Sequence, residues 1–129
     1  MILADTSVWV AAMRPSPTVR ISELERQEPV ALCPPVYQEI LQGFRDEGAY
    51  RVMASALSGY IMLEDPMTLE LFQEAAQLYR AARKAGYTPR TSTDCLIAAC
   101  AIRHNAEVLH RDRDYGFLAR VSPLRQRAI

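Results

Sequence analysis

Met1-Ile2-Leu3-Ala4-Asp5-Thr6-Ser7-Val8-Trp9 is the stretch that decides how the remaining residues are read. A short apolar run that ends at an acid reads as a buried strand. Thr6-Ser7 then offers a helix cap, and Val8 to Met13 supply a short apolar helix. Asp5 therefore stands at the carboxyl end of a strand, in a tight turn. Its side chain also suits the capping of the helix that follows.

The same alternation repeats along the chain. Residues 18–28 suggest a second short helix, with Val19, Ile21 and Leu24 on one side and Pro29 at its end. Val30–Cys33 reads as a second strand. Pro34-Pro35 opens a helix, since proline suits the first turn, and Val36, Ile40 and Leu41 share its apolar face. Tyr50–Leu57 is a further amphipathic segment, closed by Gly59. Tyr60–Leu63 is a third strand candidate. Thr68–Ala85 is the longest helix, with Leu69, Phe72, Ala76, Tyr79 and Ala82 as its apolar stripe and Gly86 as its stop. Ser92 or Thr93 caps a helix from Asp94 to about His104. Val108–His110 is a fourth strand, residues 111–116 form a charged loop, and Phe117, Leu118 and Val121 begin a last small element. Strands alternating with helices predict an α/β fold with a mostly parallel sheet. Such sheets bind ligands outside the carboxyl ends of their strands.

The 129 residues suit one domain, 1–129. Half are apolar and 23% are charged, which predicts a folded globular chain. No apolar run reaches the ~18–20 residues of a membrane span, and the first residues do not read as a signal peptide. Cys33, Cys95 and Cys100 show neither a disulfide framework nor a zinc spacing. A reducing, cytoplasmic setting follows. The net charge of zero hides an asymmetry: residues 1–86 carry 8 bases and 11 acids, residues 87–129 carry 7 bases and 4 acids. Fourteen of the 15 bases are arginine, the side chain that grips phosphate bidentately. That balance is compatible with a nucleic-acid partner, and equally with a genome rich in arginine codons.

Taken singly, the acids are ambiguous. Asp112 and Asp114 follow the fourth strand within His110-Arg111-Asp112-Arg113-Asp114-Tyr115. Asp94 starts a helix, where acids are common. Glu39 lies beside an apolar stripe, where a solvated flank is the plain reading. Taken together, a parallel sheet gathers them with Asp5 at one edge. No lysine lies close by in sequence and no histidine pattern offers zinc. Carboxylates at close range do not all ionise without a cation, and Mg²⁺ or Mn²⁺ is the natural one for hard oxygen ligands. By position, Asp112 belongs to the pocket, while Asp114 is the better cap for the last helix.

Four segments, in this order, resemble the PIN-domain ribonucleases and specifically the VapC toxins of toxin–antitoxin pairs. They are Ile2 to Trp9, Pro35 to Gly43, Thr93 to Ala99 and His110 to Tyr115. The resemblance implies about five parallel strands flanked by helices, a pocket for Mg²⁺ or Mn²⁺, and endonucleolytic cleavage of RNA, with a tRNA or rRNA loop as a fitting target. It implies Asp5, Glu39 and Asp94 as pocket acids, with Asp112 and Asp114 both carried for the fourth place. In this reading Asp5 and Asp94 bind the metal, and Glu39 with Asp112 or Asp114 completes its shell. Thr6 and Ser92 or Thr93 are polar neighbours of the pocket, and Arg111, Arg113 or Arg90 hold flanking phosphates. The implied partners are a VapB-like antitoxin and a second copy of the chain, with the apolar residues of 30–60 available for either. The alternative is a non-catalytic subunit of a repressor complex. A phosphoacceptor domain would need a lysine after a late strand, and a nucleotide-binding module would need a glycine-rich loop.

Overall fold

Ile2–Ala4 forms strand β1, and all three residues are fully buried. The computed structural model describes Met1 to Ile129. After β1 come α1 (Thr6–Ala12), α2 (Ile21–Gln27), β2 (Val30–Leu32), α3 (Pro34–Gln42) and α4 (Glu47–Leu57). Then follow β3 (Ile61–Met62), α5 (Leu69–Lys84), α6 (Ser92–Arg103), β4 (Glu107–His110), α7 (Asp114–Arg120) and β5 (Arg125–Ala128). The five strands lie in the order β3-β2-β1-β4-β5, and every neighbouring pair is parallel.

This order places the site. The chain steps outward from β1 to β2 and β3, then crosses back to build β4 and β5 on the other side. The two directions part between β1 and β4, and the crevice beyond their carboxyl ends is where such folds bind ligands. The Asp5 N–H donates to the Leu109 carbonyl at 2.9 Å, so the two strand ends stay together. One apolar cluster of 29 buried residues fills both faces of the sheet. No helix is long and apolar enough to cross a membrane.

Three details differ from the sequence reading. The buried stripe of α5 is Leu71, Ala75 and Ala82, whereas Leu69 is 87% exposed and Phe72 48%. The helix carries two apolar stripes, and only one is turned inward, where the helix packs mainly on α6. The cap of α6 is Thr91, whose Oγ1 accepts the Asp94 N–H at 3.4 Å. Ser92 and Thr93 are instead the first two residues of that helix. Finally, β5 is built from Arg125-Gln126-Arg127-Ala128. It lies at the sheet edge with most of its residues exposed, so burial leaves no apolar pattern in it.

Candidate active site

Asp5 caps α1 and faces the crevice at once. Its Oδ2 accepts the Ser7 N–H at 3.2 Å and the Ser7 hydroxyl at 2.7 Å. Its Oδ1 accepts the Tyr115 hydroxyl at 2.8 Å. The Ser7 hydroxyl also accepts the Arg111 N–H at 3.1 Å, which ties the loop after β4 to α1. On α3, Glu39 is held by the Thr6 hydroxyl, which donates to its Oε1 at 2.9 Å.

Asp94, Asp112 and Asp114 form the tightest group. One carboxylate oxygen from each lies within 4.8 Å of the others. Asp94 is buried in the first turn of α6, and its Oδ2 has no hydrogen-bond partner. Burial, then the charges of Asp112, Asp5, Asp114 and Glu39, push its carboxyl up to about 7. The other four acids named from the sequence thus all act on Asp94. Asp112 is held below the ordinary carboxylate range. Burial raises it, but the Asp114 N–H and the Arg90 guanidinium outweigh that.

The division of labour between Asp112 and Asp114 differs from the positional expectation. Asp114 does not cap α7. Its Oδ2 accepts the Arg90 N–H at 2.9 Å, and Arg90 Nε lies 3.6 Å from the same oxygen. It is Asp112 that accepts an N–H at the helix start, from Asp114 at 3.0 Å, while its Oδ1 also meets Arg90 Nη2 at 2.8 Å. The reason is a local turn: an Asp readily accepts the N–H two residues on. That turn aims both carboxylates at Asp94.

The basic residues separate. Arg90 is held at the acids. Arg111 is drawn away to Thr18, with Nη2 to Oγ1 at 2.6 Å. Arg113 is exposed and makes no ion pair. Thr93 lines a hollow together with Glu39.

Sequence reasoning passed over four supporting side chains: Ser7, Tyr115, His110 and Gln126. The Asp112 N–H donates to His110 Nδ1 at 3.0 Å. That leaves Nε2 to carry the ring proton and donate to Gln126 Oε1 at 2.6 Å. Tyr115 is fully buried, and burial together with Asp5 holds its hydroxyl proton firmly in place. Its position directly after the last acid was a usable signal. Tyr115→Phe removes one donor from Asp5. We expect about 1 kcal/mol less stability in thermal melting and about tenfold weaker divalent-metal binding by calorimetry, as for other partners of ligating groups. Unchanged metal affinity would show that Asp5 acts without this support.

The residues fit a divalent cation. The donors are all carboxylate oxygens, one is buried without a partner, and their mutual repulsion is relieved by positive charge.

Residues 2–122 match the PIN domain family model. A VapC ribonuclease of Mycobacterium bovis is 40% identical, over 96% of this chain and 96% of its own length. The chain belongs to the PIN-domain family, in its VapC branch. Ribonuclease VapC11 of Mycobacterium tuberculosis shows the same 40% identity and 96% coverage of both chains. Among solved structures, VapBC2 of Rickettsia felis, bound to a promoter DNA fragment, superposes with a TM-score of 0.77 at 18% identity. That match covers 99% of this chain and 98% of the other. It shows the shared PIN fold, whose parallel sheet carries the acid-bearing crevice described above.

Proposed function

We propose that this protein is a divalent-metal-dependent endoribonuclease, a VapC-type toxin neutralised by a VapB-like antitoxin. The Asp94–Asp112–Asp114 group, with its unpartnered Asp94 oxygen, carries the reading. Its family membership at 40% identity to VapC ribonucleases supports it.

Asp94, Asp112 and Asp114 would hold Mg²⁺ or Mn²⁺, with the carboxylates of Asp5 and Glu39 beside them. A cation bound there supplies positive charge against the phosphoryl oxygens and lowers the pKa of water. The side chains prepare the site in distinct ways. The Asp114 N–H and Arg90 hold the Asp112 carboxyl below its ordinary range and fix its direction. Burial and the neighbouring acids raise the Asp94 carboxyl to about 7, so a cation held by this group would favour its ionised form. Thr6 fixes the direction of Glu39, and Tyr115 and Ser7 fix that of Asp5.

The substrate is an RNA whose unpaired loop can be splayed into the crevice, since duplex RNA hides its bases. A tRNA or an rRNA offers such loops. The protein works in the cytoplasm as a homodimer, and Tyr50 and Val52 of α4 are exposed apolar residues available to a partner. The test is incubation of the purified chain with structured RNA. We expect internal cuts with Mg²⁺ or Mn²⁺, none with EDTA, and none after addition of the antitoxin. Equal cleavage in EDTA, or no cleavage with either metal, would reject the reading.

A further inference from the structure

The outer face of α5 takes no part in the acid cluster, yet it is joined to it. A hollow of about 350 Å³ contains Glu39 and is bounded by Phe72, Thr93 and Leu96. The same three residues line a groove of about 410 Å³ between α5 and α6, which runs past Tyr79 to Arg80. Arg80 in turn borders a third hollow with Arg83 and Lys84. One trough therefore leads from Glu39, over an aromatic floor, to three bases. From Phe72 to Lys84 helix α5 spans about 18 Å, room for several nucleotides.

The charges in this trough are unbalanced. Arg80, Arg83 and Lys84 are exposed and none makes an ion pair. Both acids of α5 are turned to another helix: Glu70 and Glu74 reach Arg103 at 3.7 and 2.8 Å. The Arg83 guanidinium lies 5.9 Å from the Tyr79 ring centroid. Phe72 is exposed and Tyr79 is half-buried, and unpaired cations beside accessible aromatic faces are what single-stranded nucleic acid needs, phosphates for the first and base faces for the second. An apolar partner would cover the rings and leave the three cations unanswered.

We propose that this trough is the track for the single-stranded RNA that flanks the cut phosphate. Bases rest on Phe72 and Tyr79, and Arg80, Arg83 and Lys84 hold the backbone at the far end. The inference rests on the ribonuclease reading and adds where the substrate lies.

The test is the triple variant Arg80→Gln, Arg83→Gln, Lys84→Gln, with Phe72→Ala beside it. On an unstructured 20-nucleotide RNA we expect the triple variant to raise KM about tenfold and leave kcat within twofold, while a trinucleotide is cut as by the parent. The slope of log affinity against log salt should fall by about 2, at roughly 0.7 per lost contact to a single strand. Phe72→Ala should weaken binding about tenfold, the loss of one stacked base. Binding is measured separately by fluorescence anisotropy with labelled oligouridine in the Asp94→Asn background, where the strand stays intact. If no RNA is cut by any variant, the ribonuclease reading fails, and the anisotropy alone decides the track. Equal affinity and an equal salt slope for parent and triple variant overturn it. So does sedimentation showing that Phe72→Glu converts a dimer to a monomer, because the groove is then a contact between copies.

Discussion

Asp94→Asn should abolish RNA cleavage and make the metal-free protein more stable at pH 8. The carboxyl stands at about 7 in the folded protein against an ordinary value of 3.8, pushed up by burial and by four neighbouring acids. Between those values folding takes up a proton, so stability falls as the pH rises across that window. Below it both states are protonated and the penalty is absent. The cost is on the order of 2 kcal/mol, less than the full shift would give because the cluster opens to screening solvent. Asn cannot ionise and can donate to Asp112 or Asp114. We therefore expect a melting temperature about 4–8 °C higher at pH 8 and a flat profile from pH 5 to 8. Cleavage should fall at least about 100-fold, some 2.7 kcal/mol of lost transition-state stabilisation. Saturating Mg²⁺ should stabilise the parent and leave the variant unmoved. A variant that keeps the parent's pH slope would mean that another group is the proton holder.

Asp114→Asn should be nearly as inactive, and should fold as well as the parent. The amide oxygen can still accept the Arg90 N–H, so the loop before α6 stays in place. The charge beside Asp94 is gone, and we expect cleavage to fall about 100-fold with melting within about 2 °C. Asp114→Ala removes the acceptor as well and leaves the part-buried Arg90 N–H to water, costing about 0.5–1.5 kcal/mol in addition. Asp112→Asn should resemble Asp114→Asn in activity. A fully active, unstable Asp114→Asn would restore the capping role that its position in the sequence suggests.

That reversal shows where the sequence is legible and where it is not. The strands β1 and β2, and the Val108-Leu109 centre of β4, are short apolar runs because they are buried on both faces, and burial leaves a direct trace in residue type. The edge strand β5 carries no such trace, since β4 supplies its partners through the backbone. On α5 the period is plain, but two stripes satisfy it, and only packing against α6 distinguishes Leu71 from Phe72. The run Thr91-Ser92-Thr93 offers three hydroxyls in a row, so the type of cap is evident and its register is not. The pocket acids are visible as a set because strand ends and helix starts bring them to one edge. Their individual tasks depend on a two-residue turn at Asp112, which no spacing rule resolves. Ser7, His110 and Gln126 stay hidden for the same reason, being common polar residues until the backbone brings partners to them.

The strand order also sets a timetable. A ribosome builds this chain from β1 outward to β3 and only later returns to lay β4 against β1. Asp5, Glu39 and Asp94 are all synthesised before Asp112 and Asp114 exist, and domains fold as units once their segments are available. A nascent chain that has passed α6 still lacks two of the three carboxylates that converge. The crevice closes only when the fourth strand arrives, so no product that stops before Asp114 can present the acid group.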